Sequence, residues 1–163
     1  MFNTLIISAI SLLFIACGPE KNPTVKSSMF QSVSSEKAIL LQEGKQKQFC
    51  TRCGMDLVKF YKTSHSANID NKIYQYCSFH CLVDHLSDGR SLDDPHVVDA
   101  KNLKFIDIRA AHYVVGSNKH GTMTRVSKYA FSSEYDAKEF KKENGGEIMN
   151  FYDAMKIVKK DFR

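Results

Sequence analysis

Lys72-Ile73-Tyr74-Gln75-Tyr76-Cys77-Ser78-Phe79-His80-Cys81-Leu82 is the stretch on which the reading of the fold turns. Residues 72–76 alternate and are rich in strand formers, so they read as a strand. Ser78 then stands as an N-cap, and a short helix through Cys81, Leu82, His85 and Leu86 stops at Asp88-Gly89. Further on, Val126-Ser127-Lys128-Tyr129-Ala130-Phe131 reads as a strand again. Ser133, with Asp136 three residues later, makes a capping box for a helix over residues 134–144. Laying Tyr76-Cys77-Ser78-Phe79 over Ala130-Phe131-Ser132-Ser133 brings strand, cap and helix into the same order twice. The expectation is an α+β fold of two tandem β-β-α-β units. On this overlay Phe131 and Tyr135 fall where Cys77 and Cys81 stand, so the second unit keeps the fold and lacks the thiols.

Around these anchors the remaining elements fall into place. Leu57-Val58-Lys59-Phe60-Tyr61-Lys62-Thr63 alternates and is expected as the strand before 72–76, with Asn68-Ile69-Asp70-Asn71 as the turn between them. Asp93-Asp94-Pro95 reads as loop and Val97-Val98 as strand. Residues 103–108 and 111–115 read as strands, the latter stopped by Gly116. Ala137 and Phe140 give the 134–144 helix an inward face, and Gly145-Gly146 ends it. Residues 147–151 form a closing strand and 152–163 a final helix. The folded domain is expected over 46–155, with units at 49–103 and 104–151.

The N-terminus is of another kind. Residues 5–16 are an almost unbroken apolar run, too short to span a bilayer, ending Leu13-Phe14-Ile15-Ala16-Cys17-Gly18. Residues 1–16 read as an export signal, and Cys17 after Ala16 looks like a lipobox cysteine, the lipid-bearing start of the mature chain. An uncleaved anchor helix is the alternative. Either way the rest of the chain works outside the cytoplasm, anchored to a membrane and facing the periplasm. Residues 17–45, with Pro19, Pro23 and many Ser and Lys, read as a tether, with a short helix within 35–43. The net charge of +5 over 163 residues is modest, and the densest basic run (Lys156, Lys159, Lys160, Arg163) is a solvated helix face. No nucleic-acid motif accompanies it.

Four of the five cysteines lie between Cys50 and Cys81. Cys50-Thr51-Arg52-Cys53-Gly54-Met55 has the spacing of a metal knuckle, in which a tight turn lets two sulfurs converge and Gly54 supplies the positive φ. Cys77 and Cys81, four apart at a helix start, stack on one face, where the helix dipole is expected to lower thiol pKa. Soft sulfur donors favour Cu(I), Zn(II) or iron–sulfur iron. A four-thiolate structural Zn(II) site is one reading, and disulfides in an oxidising compartment are another, with three full pairings. Thiol–disulfide exchange is a remote third. Met55 adds a thioether, and Met123, in a polar loop beside His120, is a candidate soft ligand. His65, His80, His85, His96 and His112 read as packing or surface residues, His80 being the one nearest the thiols in sequence. Paired carboxylates, a nucleophile triad and a phosphate loop are missing, so the chain reads as a non-enzyme.

Cys50-x-x-Cys53-Gly54-Met55, Lys59-Phe60, Tyr76-Cys77-Ser78, Ala111-x-Tyr113-Val114-Val115-Gly116-Ser117, Met123, Ala130-Phe131, Ala137-x-x-Phe140 and Gly145-Gly146, in this order, resemble the NosL family, the accessory lipoproteins of nitrous oxide reductase. The resemblance implies two β-β-α-β units in an organomercurial-lyase-like arrangement. It implies a Cu(I) chaperone that supplies the copper–sulfide centre of apo nitrous oxide reductase, working with the reductase's membrane-bound assembly transporter. It carries Met55 and Met123 over as thioether ligands with Cys53 beside them, and Cys50, Cys77 and Cys81 as secondary members; the Cys77/Cys81 pair is a departure from many relatives. The Tyr-Cys-Ser-x-x-Cys spacing is also similar to the metal-sensing TRASH and YHS modules, which leaves general metal handling as the alternative.

Overall fold

The computed structural model describes residues 29–161. The expected signal segment, Cys17 and the first part of the tether lie outside these residues. Two antiparallel sheets and three helices make up the rest. The first sheet comprises β1 (His65–Ile69), β2 (Lys72–Tyr76), β3 (Asp93–Val98) and β4 (Phe105–Asp107) in the order β2-β1-β3-β4, with α1 (Phe79–Leu86) after β2. The second comprises β5 (His112–Val115), β6 (Lys128–Phe131) and β7 (Glu147–Met149) in the order β6-β5-β7, with α2 (Glu134–Asn144) after β6. A last helix, α3 (Phe151–Lys160), closes the chain behind an Asn150 cap.

The duplication is visible strand by strand. β1-β2-α1-β3 and β5-β6-α2-β7 each place the first hairpin strand in the middle and the post-helix strand on its far side. Strand pairing corrects the sequence overlay by one residue. His65 pairs with Tyr76, and His112 with Phe131. Ser78 and Ser133 are the caps, accepting from Cys81 N–H and Asp136 N–H. Tyr76 therefore matches Phe131, and the positions equivalent to Cys77 and Cys81 are Ser132 and Asp136, not Phe131 and Tyr135. The repeated motif also starts earlier than residue 104. Asp99 to Lys104 forms a turn like that at Cys50 to Met55, with Asp99 N–H donating to Lys104 C=O and Leu103 N–H to Asp99 C=O, each at 2.8 Å.

Other expectations shift for local reasons. Residues 57–63 are not a strand. Asp56 Oδ1 accepts from Val58 N–H and Lys59 N–H, and the chain turns into a 3-10 segment, Tyr61–Thr63. The first strand is instead His65–Ile69, poor in strand formers but paired on both sides by β2 and β3. Asp70 and Asn71, both at positive φ (51° and 61°), form the two-residue hairpin turn to β2. β3 takes in Asp93-Asp94-Pro95, expected as loop, and α3 takes Phe151 from the expected closing strand.

The described part of the expected tether is packed on the domain. Phe30 meets Tyr129 and Phe140, Gln31 is buried and donates to His120 C=O at 2.7 Å, and Leu41 N–H donates to Gln75 Oε1 at 2.9 Å. Its expected helix is reduced to the 3-10 turn Ser35–Lys37. The units are joined through an aromatic stack in the main core: His65 lies on Phe79 at 4.9 Å, Phe79 on Phe151 at 5.0 Å, and His65 Nε2 meets Tyr113 Oη at 3.2 Å. Burial holds the His65 imidazole neutral, with its pKa down to about 3. Among the described residues no helix is long and apolar enough to cross a membrane.

Candidate metal centre

The turn that carries Cys50 and Cys53 is pinned on three sides. Cys50 N–H donates to Met55 C=O at 2.8 Å and Gly54 N–H to Cys50 C=O at 2.9 Å, with Gly54 at φ 74°. Thr51 N–H donates to Gln75 C=O at 3.2 Å, which fastens the turn to the edge of β2. Arg52 reaches the other way, pairing with Asp84 and, at 2.8 Å, with Asp88 at the end of α1. These are partly exposed pairs and contribute little stability, but they orient the turn over the helix.

The second pair comes from the strand-to-helix junction. β2 ends at Tyr76, Cys77 follows it, and the Ser78 hydroxyl caps α1 by accepting from Cys81 N–H at 3.3 Å. All four sulfurs lie within 4.8 Å of one another. Cys53 Sγ is 3.5 Å from Cys77 Sγ, and Cys77 Sγ is 3.8 Å from Cys81 Sγ. A disulfide is about 2.05 Å long, and all four thiols are free. The spacings approach the sulfur–sulfur edge of about 3.8 Å that a tetrahedral site with about 2.3 Å metal–sulfur bonds would have. Cys50, Cys77 and Cys81 are buried, whereas Cys53 is exposed. The donor set thus has one open corner.

Electrostatics divide the four unequally. Thiol donation from Cys77, then from Cys81, holds Cys50 far below the ordinary thiol range. Cys77 is pushed up by that hydrogen bond with Cys50, then by its contact with Cys81 and by burial. Cys81 is likewise pushed up, first by its hydrogen bond with Cys50. The lowering expected from the helix dipole is outweighed at both helix thiols. Of these three buried thiols Cys50 gives up its proton most readily, and a soft cation would supply the positive charge needed to displace the protons of Cys77 and Cys81.

The remaining candidates lie around this cluster. Met55 is half-buried against the main core directly after the turn. Met123 is exposed at φ 65°. Its loop is tied to the first unit, since Thr63 Oγ1 bonds both Thr122 Oγ1 (2.8 Å) and Cys77 C=O (2.7 Å). Among the described His, Cys, Asp and Glu residues, the group that could hold an ion is the four cysteines alone, and it includes no histidine. His80 lines a small polar recess with Thr63, Thr122, Thr124 and Lys128, and His85 Nδ1 meets Tyr76 Oη at 2.7 Å. His96 Nδ1 meets Asp94 C=O at 2.8 Å, and His112 is half-buried on β5. Arg52 and the Gln75–Gln42 contacts that brace the turn were not foreseen; only the two-residue gap in the knuckle hinted that its inner positions had work of their own.

A cavity of about 730 Å³ opens beside the turn, lined among others by Leu41, Phe49, Cys50, Thr51, Gly54 and Ile73. The comparisons with known proteins agree with this architecture. The copper chaperone NosL from Shewanella denitrificans superposes with a TM-score of 0.52 at 24% identity, covering 68% of this chain and 91% of that one. No curated protein matches the chain. The family model for NosL matches residues 42–158, the turn, both β-β-α-β units and most of α3. The chain belongs to the NosL family.

Proposed function

We propose that this protein is a Cu(I) chaperone, lipid-anchored outside the cytoplasm through Cys17, that delivers copper for the copper–sulfide centre of apo nitrous oxide reductase in concert with its membrane-bound assembly transporter. The observation that carries the copper reading is the converging set of four thiols with a single exposed member. Four soft donors hold a soft ion tightly, and a single open corner lets a foreign ligand attach before an old one leaves. Cys53 is where such an exchange begins. Cys50, Cys77 and Cys81 form the buried floor, and Met55 and Met123, ligands by family resemblance, are thioethers from the end of the turn and from the opposing loop. The chemistry is binding and ligand exchange, without bond-making catalysis. Family membership and the copper-chaperone neighbour support the same reading.

Anaerobic titration of the reduced protein with Cu(I) against a competing chelator tests it. Outer-shell changes alone cost about 10–100-fold in metal affinity, so Cys53→Ser is expected to weaken Cu(I) by more than about a hundredfold. Unchanged affinity would overturn the assignment. Unchanged affinity in Met55→Ala/Met123→Ala would remove the methionines and leave the thiols. A second reading, a resident Zn(II), is favoured by the near-tetrahedral sulfur spacings. Metal analysis of anaerobically purified protein decides between the two ions.

A further inference from the structure

Resting on the reading of this protein as a metal donor, we infer that the acceptor docks by adding an extended segment to the free edge of β2 beside the thiol cluster. β2 is the outermost strand of the first sheet. Gln75 turns its backbone away from β1, since its C=O accepts from Thr51 N–H and its N–H donates to Gln42 Oε1. Alternation along an antiparallel strand then points the N–H and C=O of Ile73 outward as well. Among the described residues no hydrogen bond reaches either group of Ile73. The Ile73 side chain is 43% exposed and Phe49, across the groove, 40%. With Leu41 they supply the apolar part of the lining of the 730 Å³ cavity, which Cys50, Thr51 and Gly54 also line.

The second unit shows what such an edge accepts. β6 is the counterpart of β2 and is likewise outermost in its sheet. Its edge is covered from within the chain: Asp99 bridges Ala130 in parallel and Ala100 N–H donates to Ala130 C=O, and the Tyr61–Thr63 turn lies near the strand. All four residues of β6 are buried, whereas the first two of β2 are exposed. The two edges are alike at Gln75 and Ala130, which each accept an N–H from their own turn, and they differ at Ile73, where β2 stays open above a cavity that Cys50 lines. The occupant that fits has an extended backbone to pair with Ile73, an apolar side chain for the Phe49–Ile73 lining, and a Cys, Met or His placed to meet the ion at Cys53.

Ile73→Pro removes the outward N–H without touching the β1 ladder, a position where an edge strand tolerates proline. Copper transfer from the loaded protein to apo nitrous oxide reductase is the readout, with Cu(I) affinity measured alongside. The expected result is unchanged affinity and transfer slowed about tenfold, the effect of one interfacial hydrogen bond whose partner is left unpaired. Unchanged transfer overturns edge docking while leaving copper delivery intact. No transfer from the wild type overturns the delivery reading itself. Hydrogen exchange on the wild-type chain is the second measurement. Protection of the Ile73 amide only when apo reductase is added supports docking there; protection of that amide already in the free chain shows that the edge is occupied from within and overturns it.

Discussion

The chain builds one turn twice and fills it in two ways. In the first unit the turn is Cys50-Thr51-Arg52-Cys53-Gly54-Met55, and in the second it is Asp99-Ala100-Lys101-Asn102-Leu103-Lys104. Cys50 N–H to Met55 C=O corresponds to Asp99 N–H to Lys104 C=O, both at 2.8 Å. Thr51 N–H to Gln75 C=O corresponds to Ala100 N–H to Ala130 C=O, and the positive φ of Gly54 (74°) to that of Leu103 (61°). What differs is the hub. At Cys50, Cys53, Cys77 and Cys81 the first turn presents sulfur; at Asp99, Asn102, Ser132 and Asp136 the second presents oxygen and nitrogen. There the buried Asp99 carboxylate accepts from Lys101 N–H, Asn102 N–H and Nδ2, and from both the N–H and hydroxyl of Ser132. The carboxylate ties the turn to Ser132, just before the cap, by itself, and its lone pairs are taken up by protein donors. In the first turn that place is held only by weak thiol contacts among Cys50, Cys53, Cys77 and Cys81, and an ion on the four sulfurs would replace them.

The largest expected effect follows from that asymmetry. Removing the metal from the loaded protein with a chelator should free the first turn and leave the second in place. Amide exchange at Cys50 and Gly54 is expected to rise about a thousandfold, as for a turn that loses its cross-link to the helix cap. Exchange at Asp99 and Leu103 should stay as it was. Equal responses in both turns would break the comparison.

Next comes the oxygen hub. Asp99→Ala leaves several buried donors without an acceptor, and a loss of about 3 kcal/mol in urea unfolding is expected, with Cu(I) affinity nearly unaltered. Burial alone pushes the Asp99 pKa up, but hydrogen bonds from Ser132, Asn102 and Lys101 outweigh it and hold it below the ordinary carboxylate value. In the unfolded chain this carboxyl takes up its proton at higher pH than in the folded one. Its stabilising contribution is therefore complete above the unfolded value of 3.8 and is lost as pH falls through the lower folded value. The acid limb of the stability curve should flatten in Asp99→Asn. If instead the mutation cuts copper affinity as deeply as it cuts stability, the two turns are not independent.

Much of this was legible in the residues, and what was not has a physical cause. The caps Ser78 and Ser133, the alternation of 72–76 and the helix ending at Gly145 were plain, because local chemistry and tertiary outcome agree there. The thiol pairs were legible from spacing alone. The strand His65–Ile69 was not, since only Ile69 is a strong strand former and the segment is held by partners on both sides. Residues 29–43 read as tether because their anchors are isolated, Phe30 on Tyr129 and Phe140 and Gln31 to His120 C=O, and leave no periodic pattern. The second turn was missed for a related reason: Asp99-x-x-Asn102 repeats the gap of Cys50-x-x-Cys53, yet carries residues that signal an ordinary loop.

The smallest effect probes the one backbone requirement that both turns share. Gly54 at φ 74° has open space around the position of a Cβ, so Gly54→Ala would meet no neighbour and would cost only the left-handed strain, about 1 kcal/mol. Leu103 bears that strain already at φ 61°. Leu103→Gly should regain about 1 kcal/mol, less whatever packing the half-buried leucine provides. Its carbonyl accepts from Tyr61 Oη at 3.0 Å whichever side chain is present, so this anchor to the first unit survives the change. The two substitutions, measured by urea unfolding on metal-free protein, should therefore shift stability in opposite directions. If Gly54→Ala costs nothing without metal but weakens Cu(I) binding, the positive φ at Gly54 is imposed by the ion. The second turn then keeps by hydrogen bonds a shape that the first adopts only when loaded.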